Sequence, residues 1–452
     1  MTNKLKTLPL VLTVLASACL NAPLYAKDID ASRLGTSLNP MGGERGGNAD
    51  GSIPAWDGGL KPGSLSASAT GDYADPYASE KPLMVINGAN AGQYEKLLTP
   101  GQMAMLKRFA ATYQINVYPS HRSTHMPEAI NAATRDNAGK VSLADSGYGM
   151  IGYNIGVPFP MPTEALEVIW NHQTRYIGSS VQREMASAMV EESGAYTPVT
   201  YQQKVHYRSG ISDLAPDDNI LAYSLIRALS PSRVAGEITM VHDPVNQVAA
   251  ARDAWQYIPG QRRVRRAPTV AYDNSSRYSY GQLTSDGVGG FNGAPDRYDW
   301  KLIGKQERLI PYNSYKLASK SLKYADLLKK NNIDSQYVRY EKHRVWVVEA
   351  TLKPTARHVY SKRRFYIDED NWQIASSEMY DSRGELWRMY ENYPMQLPDV
   401  DAPFPAMEAT YDLISGRYTT NWMSNEYPQK AVFNQLATKE DYSPAALRRD
   451  GK

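Results

Sequence analysis

The sequence predicts an α+β fold: an antiparallel sheet large enough to curl, interrupted by two or three helices and preceded by an irregular N-terminal arm. Three observations lead there. From about residue 200 to 425 the apolar residues recur with a period of two, the mark of half-buried strands. The runs are joined by turns of hairpin type, at Asp243-Pro244-Val245-Asn246, Asp368-Glu369-Asp370-Asn371, Asp381-Ser382-Arg383-Gly384 and Ser415-Gly416. A few stretches keep helical spacing instead.

Along the chain, residues 1–26 read as an export leader. Lys4 and Lys6 supply the positive start, Leu8 to Leu20 the apolar centre and Leu24-Tyr25-Ala26 the cleavage site, which makes the periplasm the expected destination. Cys19 offers lipidation as a lesser alternative, with Ala16 where a lipid-accepting sequence wants Leu. Residues 27–195 form an arm and a helical region. Gly42-Gly43, Asp50-Gly51 and Asp57-Gly58-Gly59 are turn signals, and the Asn48/Asp50/Asp57 cluster lacks the acidic order of a calcium loop. Helices are expected from Pro100 to about Gln114, after Pro162-Thr163 with Thr163 as cap, near Asp217-Asp218 with Ile220, Leu221, Leu225 and Ile226, and after Ser321. Strands are expected at 202–209, 236–242, 248–258, 298–310, 336–352, 361–367, 373–380, 385–391, 407–414 and 417–423. The sheet domain spans 196–425, and 426–452 is a tail. In the strand at 336–352, Val338, Tyr340, Trp346, Val348, Ala350 and Leu352 share one face. Arg339, Glu341, His343, Glu349 and Thr351 share the other, which predicts one dry side and one wet side.

Composition narrows the function. With 42% hydrophobic residues and a net charge of +3 over 452 residues, the chain is neither disordered nor built for nucleic acid. Its single Cys excludes an intramolecular disulfide framework and a zinc site of several thiolates. The 32 Tyr against 6 Phe suit surfaces that are half wet and half apolar. His121 and His125 have ligand-like spacing but no carboxylate at a useful offset, so loop histidines are the better reading. No Gly-x-Ser-x-Gly elbow and no Gly-Lys-Ser/Thr phosphate loop occur. The Gly287–Gly293 run lacks dinucleotide-loop spacing and reads as a mobile loop. Asp368, Glu369 and Asp370 read as solvated turn carboxylates. No metal or cofactor is implied. Two basic clusters, Arg262-Arg263-Val264-Arg265-Arg266 and the run from Lys353 to Arg364, are either a docking surface for acidic partners or lipid headgroups, or solvated strand ends.

WQYIPGQRRVRRAP (255–268) resembles the signature segment of the lipoprotein-carrier (LolA/LolB-like) fold. Further stretches resemble an exported proteobacterial family of unknown function labelled outer-membrane lipoprotein-sorting-like. These are RGGNADGSIPAW (45–56), VYPSHR (117–122), GVPFPMPTEALEVIWNH (156–172), NGAPDRYDWKLIGKQE (292–307), YVRYEKHRVWVVEATLK (337–353) and RHVYSKRRFYIDEDNW (357–372). The resemblance implies a half-open, strongly curved sheet, a half-barrel with helices on its concave side. It also implies a non-enzymatic carrier that shields acyl chains or other hydrophobic molecules from periplasmic water. The implied partners are a resistance-nodulation-type (MMPL-like) inner-membrane exporter and outer-membrane proteins.

On that reading the Trp346 face (Val338, Tyr340, Trp346, Val348 and Leu352) together with Trp255 and Tyr257 is the candidate ligand lining. Arg262, Arg263, Arg265 and Arg266 are the candidate partner-docking residues. The same aromatic residues serve equally well as a closed core. The competing functions are an adaptor with a solid interior and, weakest, an envelope hydrolase using a carboxylate pair drawn from distant strands.

Overall fold

The computed structural model describes residues 29–65, 72–267, 272–276 and 279–451. The leader and Cys19 lie outside the described residues. Sixteen strands form one mixed but overwhelmingly antiparallel sheet that does not close into a barrel. Its short members are β1 (Met84–Ile86) and β2 (Ile115–Val117), and a separate ribbon holds β3 (Ser142–Leu143) and β4 (Met150–Ile151).

Two meanders make the body. The first runs through β5 (Ser180–Val190), β6 (Tyr196–Tyr207), β7 (Ala222–Ser230), β8 (Ile238–Asp243), β9 (Asp253–Ile258) and β10 (Arg263–Arg266). The second runs through β11 (Tyr298–Pro311), β12 (Tyr340–Leu352), β13 (Lys362–Asp368), β14 (Ile374–Tyr380), β15 (Leu386–Leu397), β16 (Ala402–Asp412) and β17 (Tyr418–Met423). Within each, every strand pairs antiparallel with the next. The last strand, β17, then pairs with the first, β5, and so fuses the two meanders. A short β18 (Val432–Phe433) also adds to β5.

Helices cover both faces. Helix α1 (Pro100–Arg108), held by a Thr99–Gln102 capping box, packs on β14 and β15. Gly101 makes that approach possible, because a Cβ there would lie 2.8 Å from the Met389 side chain. Helix α2 (Glu128–Asn137) lies in the arm. On the opposite face α3 (Ala165–Gln173) sets Ala165, Val168 and Ile169 against Val348, Phe365 and Trp372. Its cap is the first-turn Glu167 carboxylate, which accepts from the backbone N–H of Thr163 at 2.7 Å and of Glu164 at 3.3 Å. Thr163 therefore lies just outside the helix. Helix α4 (Tyr324–Leu327) is a single turn, and α5 (Pro444–Asp450) closes the chain. Among the described residues no helix is long and apolar enough to cross a membrane.

Three expectations are corrected. The helix expected near 217–226 is strand β7, because its alternate residues Tyr223 and Leu225 face a core under α5 while Ser224 and Ile226 face the other side. The face of the 336–352 strand expected to be wet is dry over Arg339, Glu341 and His343, where the arm carries Ser120, His121 and Arg122 across it, while Glu349 is half-buried and Thr351 exposed. Glu341 is fully buried and accepts from Arg339 at 2.5 Å and from the His121 backbone at 2.7 Å. The turn carboxylates are not solvated. Arg122 forms two hydrogen bonds to Asp370, at 2.8 and 2.6 Å, and Asn39 adds a third at 2.7 Å. Lys305 and Arg344 hold Glu369 at 2.7 and 3.2 Å. Burial and the neighbouring Asp370 charge push Asp368 upward, and one of its carboxylate oxygens has no hydrogen-bond partner.

Glu391, fully buried, accepts from Tyr340 and Tyr393 hydroxyls at 2.9 and 3.0 Å, and burial still pushes its carboxyl up to about 7. The folded protein thus holds this proton more tightly than the unfolded chain does. Stability at this residue is complete below about pH 4.5 and falls as pH rises to 7, by up to about 3 kcal/mol. Urea melts of wild type and Glu391→Gln across that window should show a shallower decline in the variant.

Candidate functional site

The strand register assigns residues to faces. On the face that carries α3, β5 presents Val181, Arg183 and Met185, and β7 presents Ser224, Ile226 and Ala228. Here the sheet encloses a cavity of about 510 Å³. That volume falls within the usual range for small-molecule sites, about 300–1,000 Å³. The first meander forms its floor, with Val205 on β6 and Val241 on β8 continuing the apolar surface.

The far wall is built by β16, β17 and the end of α3. An irregularity in the β17–β5 ladder between Thr420 and Met423 leaves Trp422 with φ +70°, and its ring joins Phe404 in the cavity wall. Such breaks in pairing re-aim side chains near functional sites. Of the connection between β10 and β11, the described residues Ser285, Val288 and Phe291 line the cavity. The Gly287–Gly293 run expected to be mobile is anchored. The Gly289 N–H donates to Glu408 at 3.0 Å, and the buried Arg363 donates to Asp286 at 2.9 Å and to the Gly290 carbonyl at 3.2 Å. Arg363 also lies 5.1 Å from the Phe291 ring centre and 5.3 Å from that of Phe365. This arginine, read from sequence as part of a basic cluster, is a buried strut.

None of the seven residues read as ligand lining reaches the cavity wall. Trp255 and Tyr257 lie on the other face of β9, where α5 covers them with Leu447. Val338 and Tyr340 belong to the core beneath α1, the Tyr340 hydroxyl bonding Tyr113 at 2.9 Å. Trp346, Val348 and Leu352 are on the cavity face of the sheet, but α3 and Phe291 occupy that half. Trp346 stacks on Trp372 with ring centres 6.4 Å apart. Arg262, Arg263, Arg265 and Arg266 are all exposed, three of them on the edge strand β10, with Arg266 paired to Asp253.

The lining residues that sequence reasoning missed sit largely on β5 and β7. In β5, Val181, Arg183, Met185 and Ser187 share the cavity face while Gln182, Glu184, Ala186 and Ala188 share the other, so neither face is cleanly apolar. In β7, Leu225 and Ala228 belong to good helix formers and masked the alternation.

Residues 85–448 match DUF1329, a family of proteins of unknown function. Over 424 residues, 93% of either chain, the sequence is 50% identical to an uncharacterized protein of Pseudomonas aeruginosa. The chain belongs to the DUF1329 family. Among solved structures it is similar to a putative outer membrane lipoprotein-sorting protein domain from Vibrio parahaemolyticus, at 15% identity over 63% of this chain and 98% of that one, with a TM-score of 0.43. It is also similar to a DUF1329 protein from Desulfovibrio piger, at 15% identity over 60% and 92%, TM-score 0.42. A LolA superfamily protein from Nitrosomonas europaea matches at 13% identity over 62% and 98%, TM-score 0.37.

Arg363→Met leaves the Asp286 carboxylate buried with only His358 and Thr284 as side-chain partners. Breaking such a pair costs about 3–5 kcal/mol. Hydrogen exchange should show lost protection at 284–292 before the rest of the sheet is affected.

Proposed function

We propose that this DUF1329 protein is a periplasmic carrier or chaperone that holds a lipid or other hydrophobic molecule in the cavity over the first meander. The observation that carries this reading is the cavity itself, about 510 Å³ between β5–β8, Trp422 and the β10–β11 connection. Each buried CH₂ contributes about 0.8 kcal/mol, so an alkyl chain seated on Met185, Ile226 and Val241 supplies binding energy without any reactive group. The buried carboxyls pushed upward, among them Glu391, Asp368 and Glu378, lie outside the cavity lining, and Glu408 behind the wall is engaged by Tyr390, Asn421 and the Gly289 N–H.

The leader-like segment 1–26 supports an exported location. An inner-membrane exporter of resistance-nodulation type and outer-membrane components are the partners in this reading. The exposed arginines Arg262, Arg263, Arg265 and Arg266 are the proposed docking surface, being free of the apolar burial that engages the neighbouring β9.

The test is lipid extraction and mass spectrometry on protein exported from a bacterial host and purified without detergent. A stoichiometric alkyl-bearing molecule is expected. Ile226→Trp, which places an indole in the cavity, should lower its occupancy at least fivefold while the melting temperature stays within a few degrees. Wild-type protein that carries no such molecule and binds no added alkyl probe leaves the adaptor reading in its place.

A further inference from the structure

Three guanidinium groups line the cavity, and of these Arg252 is paired with Asp243 while Arg183 and Arg175 have no ion-pair partner among the described residues. Arg183, on β5, is 9% exposed. Its Nε donates to Gln203 at 2.8 Å, and its plane lies over the rings of Phe404 and Trp422, 4.7 and 5.1 Å from their centres. Its two terminal nitrogens have no protein acceptor among the described residues. Arg175, just beyond α3, donates through Nη1 to the His172 carbonyl at 2.7 Å, and its buried Nε has no partner. Neither arginine has a carboxylate oxygen within 4.0 Å among the described residues. Of the acids nearby, Glu408 is already engaged by Tyr390, Asn421 and the Gly289 N–H, Asp243 on the cavity wall is paired with Arg252, and Glu237 lines the wall just before β8, beyond ion-pair reach of either arginine.

The two charges lie on the same side of the cavity: a Cβ at Gly289 would sit 3.4 Å from Nη2 of Arg175 and 3.5 Å from the Trp422 ring that Arg183 covers. Both lower the pKa of the Tyr207 hydroxyl against burial and the Asp243 charge, which raise it. Burial pushes Arg183 down to about 10 and lowers Arg175 as well. A desolvated cation without a partner is expensive, and a planar guanidinium recognises carboxylate and phosphate oxygens through paired hydrogen bonds. The protein therefore holds an unmet demand for negative charge beside an apolar floor.

We propose that the cavity takes an anionic amphiphile, its carboxylate or phosphate head clamped by Arg183 and Arg175 and its alkyl chain laid along Met185, Ile226 and Val241. This deepens the carrier reading and rests on it. The aromatic rings of Phe404 and Trp422 hold the Arg183 plane in place, so little side-chain freedom is lost when the head arrives.

The experiment measures displacement of a fluorescent apolar probe from the purified full chain by dodecanoate, dodecyl phosphate, dodecanol and inorganic phosphate. Wild type should bind dodecanoate and dodecyl phosphate at least tenfold tighter than dodecanol, and inorganic phosphate should not compete. In Arg183→Met that preference should fall to threefold or less, and Arg183→Lys should recover part of it. The wild-type comparison stands even if a variant fails to fold. Equal binding of dodecanoate and dodecanol by wild type overturns the anionic head and leaves the carrier reading intact. Competition by inorganic phosphate as strong as by dodecyl phosphate also overturns the proposal, because the site would then serve a free anion. If no alkyl probe binds, the carrier reading fails and takes the proposal with it.

Discussion

Strands β17 and β5 come from opposite ends of the sheet-forming sequence, yet they pair through Tyr418 opposite Val190, Thr419 opposite Met189 and Thr420 opposite Ala188. The other features of the site depend on this ladder. Without it each meander would expose an edge, and the wall holding Phe404 and Trp422 would not face the floor holding Arg183 and Met185. Pairing of residues so distant in sequence is held by side-chain burial rather than by local propensity. Tyr418 and Val190 are both fully buried in the main core, together with Tyr411 and Met389.

One face of this continuous sheet meets two fates. Over β12 and β13 it is filled by α3, Phe291 and Trp372, and over β5–β8 it is left open. The difference lies in helix length. Helix α3 ends at Gln173, and the chain turns at Arg175 to enter β5, so on this face only the last residue of the helix reaches the cavity. Elsewhere buried arginines are met by carboxylates or by a full set of neutral acceptors: Arg122 pairs with Asp370, Arg344 with Glu369 and Arg363 with Asp286, while Arg208 donates to Asn154 and to four backbone carbonyls. Against that background the cavity arginines stand apart, since Arg183 has a protein acceptor for Nε alone and the buried Nε of Arg175 has none among the described residues.

Much of the second meander was legible in the sequence because its strands alternate cleanly and its turns carry Asp, Asn and Gly at the required places. The strand expected at 361–367 is Lys362–Asp368, and that expected at 373–380 is Ile374–Tyr380. The cavity was not legible, for two physical reasons. Its floor strand β5 mixes charge and methyl groups on both faces, and β7 is written in helix formers, so neither announces an apolar surface. The aromatic residues that do announce one, Trp346 and Trp255, satisfy α3 and α5 instead. Aromatic content shows that a surface is buried and says nothing about what buries it. Likewise the Asp368–Asp370 turn reads as solvated until the arm, with Asn39 and Arg122, is folded over it.

The connection from β10 to β11 joins the two free edges of an unclosed sheet, and this has a mechanical consequence. Its hold over the cavity rests on side-chain and loop contacts, chiefly Asp286 with Arg363 and Gly289 with Glu408. None of these belongs to a strand ladder. Losing these anchors leaves every interstrand hydrogen bond of both meanders in place, so the contacts that cover the cavity are separate from the ladders that hold the sheet together.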